Sequence, residues 1–186
     1  MRIVVAMTGA SGAMYTQRLL DNLDPRTHEV HFISTKHARE VAQLELPKGE
    51  LKIAPSVVQY DENGSMFVPF VSGSARLDAM VVIPASMGTI GRVANGVSDS
   101  TVARAADVFL KERRKLIFVP REAPYNLIHL RNMATLTEAG ATIIPASPSF
   151  YSKPKTVTEI IDTIVARVLD HLGIEHKLAK RWQSDE

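Results

Sequence analysis

The sequence contains no cysteine, which excludes disulfides, thiolate nucleophiles and cysteine-bound zinc together. It has no apolar run approaching the ~20 residues that cross a bilayer as a helix. A surplus of one charge is missing too: 22 Lys and Arg stand against 20 Asp and Glu, a formal net charge of +2. That is too little to mark the whole molecule for nucleic acid or a membrane surface. The N-terminal residues read as a strand and lack the basic, apolar and cleavage segments of a signal peptide, so the expected compartment is the cytoplasm. There is no aspartate-rich pair of the kind that holds magnesium for phosphoryl or prenyl transfer. The six histidines are scattered, and His28 and His31, three apart in strand-like sequence, face opposite sides. Any phosphate would therefore be met by lysine and arginine, and no metal is expected.

What is present is a chain of 186 residues, 45% hydrophobic, enough to bury a proper core as one domain spanning 1–186. Short apolar runs without polar alternation occur at 2–7 (RIVVAM), 29–34 (EVHFIS), 79–84 (AMVVIP), 115–120 (KLIFVP) and 141–145 (ATIIP). Strands apolar on both sides belong to a sheet covered on both faces, hence a mostly parallel one. Helical spacing predicts helices over 12–23, 99–112, 126–139 and 157–172. The 126–139 helix carries Leu127, Leu130, Met133 and Leu136, while Gly140 and Gly173 stand where helices end. Strand alternating with helix reads as an α/β, Rossmann-like doubly wound sheet. Residues 47–76, rich in proline, glycine and serine, read as a functional loop with one short strand. The polar tail holds the only tryptophan, Trp182, which is expected to dock on a neighbouring subunit.

In such a sheet, ligands bind beyond the carboxyl ends of the strands. Small and polar residues gather there: Thr8, Gly9, Ala10, Ser11 and Gly12; Ser34 and Thr35; Ser86, Met87, Gly88 and Thr89; Arg121 and Glu122. Backbone N–H groups and hydroxyls at helix N-termini suit phosphate. Any one of these is also a plain βα turn, and it is their number that points to a phosphate-bearing ligand. TGASGA is neither the dinucleotide fingerprint, nor a P-loop, nor a nucleophile elbow, so Ser11 reads as a hydrogen-bonding group. Arg104 and Lys111, seven apart, share a helix face and could address one anion. Arg113, Arg114 and Lys115 read as solvated cations at the negative end of a helix. Lys111 is grouped with Arg121 and Glu122 because the strand beginning at Lys115 ends beside them. Glu122 is either a surface ion-pair partner or a general acid/base. Tyr151 reads as a loop aromatic and Arg167 as an outward-snorkelling cation.

The blocks TGASGAMY (8–15), SGS (72–74), PASMGTIGRVANGVSDS (84–100), RAADVFLKERR (104–114), VPREAP (119–124), IHLRNM (128–133), PASPSFY (145–151) and RVLDHLGI (167–174) resemble, in order and over nearly the whole length, the UbiX family of flavin prenyltransferases. The resemblance implies a flavoprotein-type fold that binds reduced FMN as substrate together with dimethylallyl monophosphate. The prenyl group would join flavin N5 and C6 with release of phosphate and no metal. The product would serve a UbiD-type decarboxylase, in ubiquinone synthesis or aromatic-acid breakdown. Carried over by position, Gly9, Ala10, Ser11, Ser34, Ser86, Met87, Gly88, Thr89 and Arg121 would hold FMN. Lys111, Tyr151 and Arg167 would hold the prenyl phosphate, with Arg121 and Glu122 close by. Tyr151 and Arg167 would come from a neighbouring subunit of a dodecamer. Ser11, Lys111 and Glu122 are the expected catalytic residues, with Ser11 and Glu122 moving protons.

The chain departs from that pattern in small ways at Ala85 and Thr16, and more seriously near Met66, where some members place a tryptophan against the prenyl group. That leaves Phe67, Phe70 or no residue at all to offer an aromatic face there. Two other readings compete: direct decarboxylation of an aromatic acid or peptidyl cysteine, and a non-catalytic FMN carrier. The cysteine decarboxylases carry a histidine shortly before the P-A-[ST] block, and here none lies between His37 and His129.

Overall fold

A computed structural model describes residues 1–62 and 65–179; Trp182 lies outside the described residues. Six strands form one parallel sheet: β1 (Arg2–Met7), β2 (Glu29–Ser34), β3 (Val58–Asp61), β4 (Ala79–Ala85), β5 (Lys115–Pro120) and β6 (Thr142–Ile143), in the order β3-β2-β1-β4-β5-β6. The helices are α1 (Ala13–Asp21), α2 (Lys36–Glu45), α3 (Met87–Ala94), α4 (Thr101–Lys111), α5 (Leu127–Glu138) and α6 (Val157–Leu172). Among the described residues no helix is long and apolar enough to cross a membrane.

The doubly wound expectation holds, and the reason is visible within single strands. Ile3, Val5 and Met7 of β1 face a core shared with α1, α2 and α6. Val4 and Ala6 face the other, shared with α3, α4 and α5. Alternate side chains of one strand thus feed two apolar layers, so an unbroken apolar run is what the strand requires.

Two helices lack the leucine stripe that marked the others. Helix α2 buries only Ala38 and Ala42, and its Leu44 points to solvent. Helix α3 carries Gly88 and Gly91, poor helix formers, and is held by burial of Met87, Ile90 and Val93. The expected stripe on α5 is a correction in the other direction. Leu136 is buried, but Leu127 and Leu130 are exposed, with Ile128 beside them. Near Met66, Phe67 is fully exposed, while Phe70 is sealed in the core against His31 and Tyr60. Phe70 therefore cannot present a face to a ligand.

Arg114 is not the solvated cation expected. It is partly buried, donates from Nη2 to the Gly73 carbonyl at 2.6 Å, and lies 6.0 Å from the Phe109 ring centroid. Gly73 sits so close to the end of α4 that a Cβ there would run into Glu112 Oε1. The 72–74 loop and the end of α4 are one packed unit.

Candidate functional site

Strand order reverses between β1 and β4, and the crevice beyond their carboxyl ends is where such sheets bind ligands. Thr8 welds the two ends together. Its Oγ1 donates to the Pro84 carbonyl at 2.9 Å and accepts the Ser86 N–H at 2.8 Å. This sets the start of α3 beside the turn after β1.

A cavity of about 390 Å³ opens there, lined by Thr8, Gly9, Thr35, Ser86, Thr89 and Arg92 among others. Thr35 and Ser86 are the N-caps of α2 and α3, accepting from Ala38 N–H and Thr89 N–H. Ser100, the N-cap of α4, lines the cavity as well, so the positive ends of three helices and five hydroxyls meet one space. Gly9 makes this possible, because a Cβ in its place would lie 2.6 Å from His37 Cβ in the first turn of α2. Two carboxylates also line the cavity, and both are engaged: Glu62 accepts the Val102 N–H at the start of α4, and Asp99 pairs with Arg92. The donor set fits a phosphate group such as that of FMN.

The turn after β1 divides in two. Gly9 faces this cavity, whereas the start of α1 is occupied by a carboxylate of the chain itself. Glu45 accepts the Gly12 N–H at 2.8 Å and the Ala13 N–H at 2.8 Å. Gly12 (φ 122) takes a backbone conformation that L side chains avoid. Ser11 is exposed between the two halves, and its carbonyl accepts from Arg121 Nε at 3.1 Å. Glu122 accepts the Ala123 N–H at 3.0 Å, so the expected alternative of an ion pair with Arg121 is not what engages it. Burial pushes the nearby Tyr15 phenol above its ordinary value, and burial with the Glu122 charge does the same to Tyr125.

One protomer thus gathers Gly9, Ser86 and Thr89 around the cavity, with Ser11, Arg121 and Glu122 at the adjoining strand ends. Ala10 and Met87 are buried behind them, and Gly88 is exposed. Ser34 is buried at the end of β2 with its carbonyl and Oγ facing Arg39, on the lining of a second cavity. Thr35, one residue on, lines the first, because strand geometry turns alternate side chains to opposite faces.

Lys111 is not beside Arg121 and Glu122 within one chain. It ends α4, next to Gly73 and before Lys115, whereas Arg121 follows the far end of β5. Six strand residues separate these ends by roughly 17–20 Å. Lys111 pairs with Glu112, and Arg104 with Asp107 at 2.8 Å, so a shared anion does not unite them in a single protomer. Tyr151 is largely exposed in the loop after β6, and Arg167 lies on the outer face of α6, paired with Asp170 at 2.9 Å.

Sequence reading placed Thr35 among the strand-end residues without naming it as a flavin contact, and did not single out Glu45 or Arg92. Glu45 acts across 33 residues and Arg92 sits in a helix that carries no stripe.

The flavoprotein family model matches residues 1–169. The flavin prenyltransferase UbiX of Methanocaldococcus jannaschii is 47% identical over 182 residues, covering 98% of each chain. Among solved structures, a dodecameric FMN-dependent UbiX-like decarboxylase from Escherichia coli O157:H7 superposes with a TM-score of 0.91 at 41% identity, covering 99% of this chain and 100% of that one. AnUbiX in complex with FMN and dimethylallyl pyrophosphate gives 0.90 at 39%, covering 100% and 98%. The chain belongs to the flavoprotein family and, within it, to the UbiX flavin prenyltransferases.

Proposed function

We propose that this chain transfers a dimethylallyl group from dimethylallyl monophosphate to reduced FMN, without a metal, and hands the prenylated flavin to a UbiD-type decarboxylase. The observation that carries the reading is the divided turn after β1. Gly9 opens on a cavity built for phosphate, and Ser11, on the other side, is tied to Arg121. Reduced FMN supplies N5 and C6 as the atoms that bond to the prenyl carbons. Gly9, Ala10, Ser11, Ser34, Ser86 to Thr89 and Arg121, with Thr35 beside Ser34, hold it with its phosphate toward α2 and α3.

Ser11 and Glu122 move protons at the reacting edge. Lys111, Tyr151 and Arg167 reach the prenyl phosphate from neighbouring copies in a dodecamer, as the dodecameric relative suggests. The distance of Lys111 from Arg121 along β5 favours that arrangement, since a single chain cannot close the gap. Breaking the allylic C–O bond loads negative charge on the leaving phosphate. Each fixed cation aimed at that charge in a site shielded from water is worth about 3–4 kcal/mol, or two to three decades of rate. Residues 1–186 act as one domain in the cytoplasm, without nucleic acid or membrane partners.

The test is to incubate the protein with dithionite-reduced FMN and dimethylallyl monophosphate, with and without a chelator, and to weigh the flavin. A gain of one prenyl unit in both arms is the expected result, and dimethylallyl pyrophosphate in a parallel arm identifies the preferred donor. Tight FMN binding with no gain in mass would make the chain a carrier. Carbon dioxide released from an aromatic acid by the protein and FMN alone would make it a decarboxylase.

A further inference from the structure

We propose that Arg92, oriented by Asp99, is a phosphate-anchoring residue of the flavin site. The inference rests on the flavin reading above and names a residue that reading does not use. Arg92 lies in the last turn of α3, where a cation normally faces the negative end of its own helix. Its head is elsewhere. Nη1 lies 3.3 Å from where a Cβ on Gly88 would be, so the guanidinium runs back along the helix to its first turn. Side chains on a helix lean toward the N-terminus, which makes this reach geometrically easy. Electrostatically it is unfavourable, because a fixed positive charge is set against the positive end of α3, with the start of α2 across the same cavity.

Asp99 explains the orientation only in part. It meets Arg92 at Nε, at 3.2 and 3.3 Å, while Nη1 lies over Gly88 and Arg92 lines the cavity. The other carboxylate in that space, Glu62, accepts the Val102 N–H at the start of α4 through Oε1. Besides these two carboxylates the cavity is lined by the Arg92 guanidinium, the N-caps of α2, α3 and α4, His37, and the hydroxyls of Thr8, Thr35, Ser86, Thr89 and Ser100. A tetrahedral dianion offsets the positive charge that Arg92 and the helix N-termini set against one another and takes charge-assisted hydrogen bonds from the arginine. Gly88 is part of the device, since any side chain there would crowd the guanidinium.

The experiment compares FMN with riboflavin, which differ by the phosphate, using quenching of flavin fluorescence on the purified full-length protein. The wild type is expected to bind FMN at least 100-fold more tightly than riboflavin. Arg92→Met, which keeps the apolar stem, is expected to lose about 10- to 100-fold in FMN affinity with riboflavin affinity changed less than two-fold. Riboflavin binding also reports that the variant is folded. Equal losses for both ligands would show that Arg92 merely supports the fold, and no loss for either would show that it does not touch the phosphate; each result overturns the proposal. A wild type that does not distinguish the two flavins would instead overturn the assignment of this cavity to the flavin phosphate, and the proposal with it.

Discussion

Arg121 Nε donates to the carbonyl oxygen of Ser11 at 3.1 Å, across 110 residues of chain. The bond ties the turn after β5 to the turn after β1 at the point where the strand order reverses. A hydrogen bond from a charged donor contributes about 1.5–3 kcal/mol. Arg121→Met is therefore expected to weaken FMN binding by about 10- to 100-fold while the circular dichroism spectrum stays native. Unchanged affinity would mean that the link between the two turns is incidental.

Gly9→Ala places a methyl group 2.6 Å from His37 Cβ. Helix α2 must back away from the turn, opening the phosphate cavity. Overpacking of this kind costs about 1–3 kcal/mol. Both a lowered melting temperature and a loss of FMN affinity of ten-fold or more are expected, by calorimetry and fluorescence titration. A variant that keeps wild-type values in both would show that the contact yields freely.

Glu45 caps α1 by accepting two backbone N–H groups. Glu45→Ala leaves those donors without a partner at the positive end of the helix, a loss of about 1–2 kcal/mol. In a chain of this size that corresponds to a melting temperature lower by about 2–8 °C. Glu45→Gln retains an acceptor and is expected to lose less than half as much.

Glu122→Gln preserves shape and removes the titrating carboxyl. Product formation is expected to fall by two to three decades, in the range of general acid/base contributions, with FMN affinity unaltered. An undiminished rate in a variant that binds both substrates ends the role proposed for Glu122.

Glu29 is held at about 2, below its ordinary 4.5, first by hydrogen bonds from Arg2 and then by His31. A lowered carboxyl stabilises the folded state fully above its unfolded value, and that contribution disappears as pH falls from about 4.5 toward about 2. Thermal melts over this window are expected to fall more steeply for the wild type than for Glu29→Gln. The pair is half-exposed, so the difference is small. Parallel slopes would show that solvent screens it completely.

Much of the fold could be read from periodicity alone. The runs RIVVAM and KLIFVP are apolar on both faces because two helical layers cover the sheet. Helices α4 and α6 show their stripes because each buries most of one, Val102 to Phe109 and Ile161 to Leu172. Helices α2 and α3 did not show because their burial rests on alanines and on a few residues between glycines. On α5 the stripe misled, since Leu127 and Leu130 are apolar yet exposed in the single chain. Periodicity marks an apolar face without saying what covers it.

By itself, the sequence determined the alternation of strand and helix, the phosphate-friendly strand ends and the resemblance carried by its ordered blocks, because these depend on neighbours along the chain. Only the tertiary structure decided that Thr35 and not Ser34 faces the cavity, that Glu45 closes α1, that Arg92 turns back over Gly88, and that Lys111 lies a strand's length from Arg121. The physical reason is that each of these depends on contacts between residues far apart in sequence, or on the facing of one strand end. Such relations are fixed when the two apolar layers pack against the sheet.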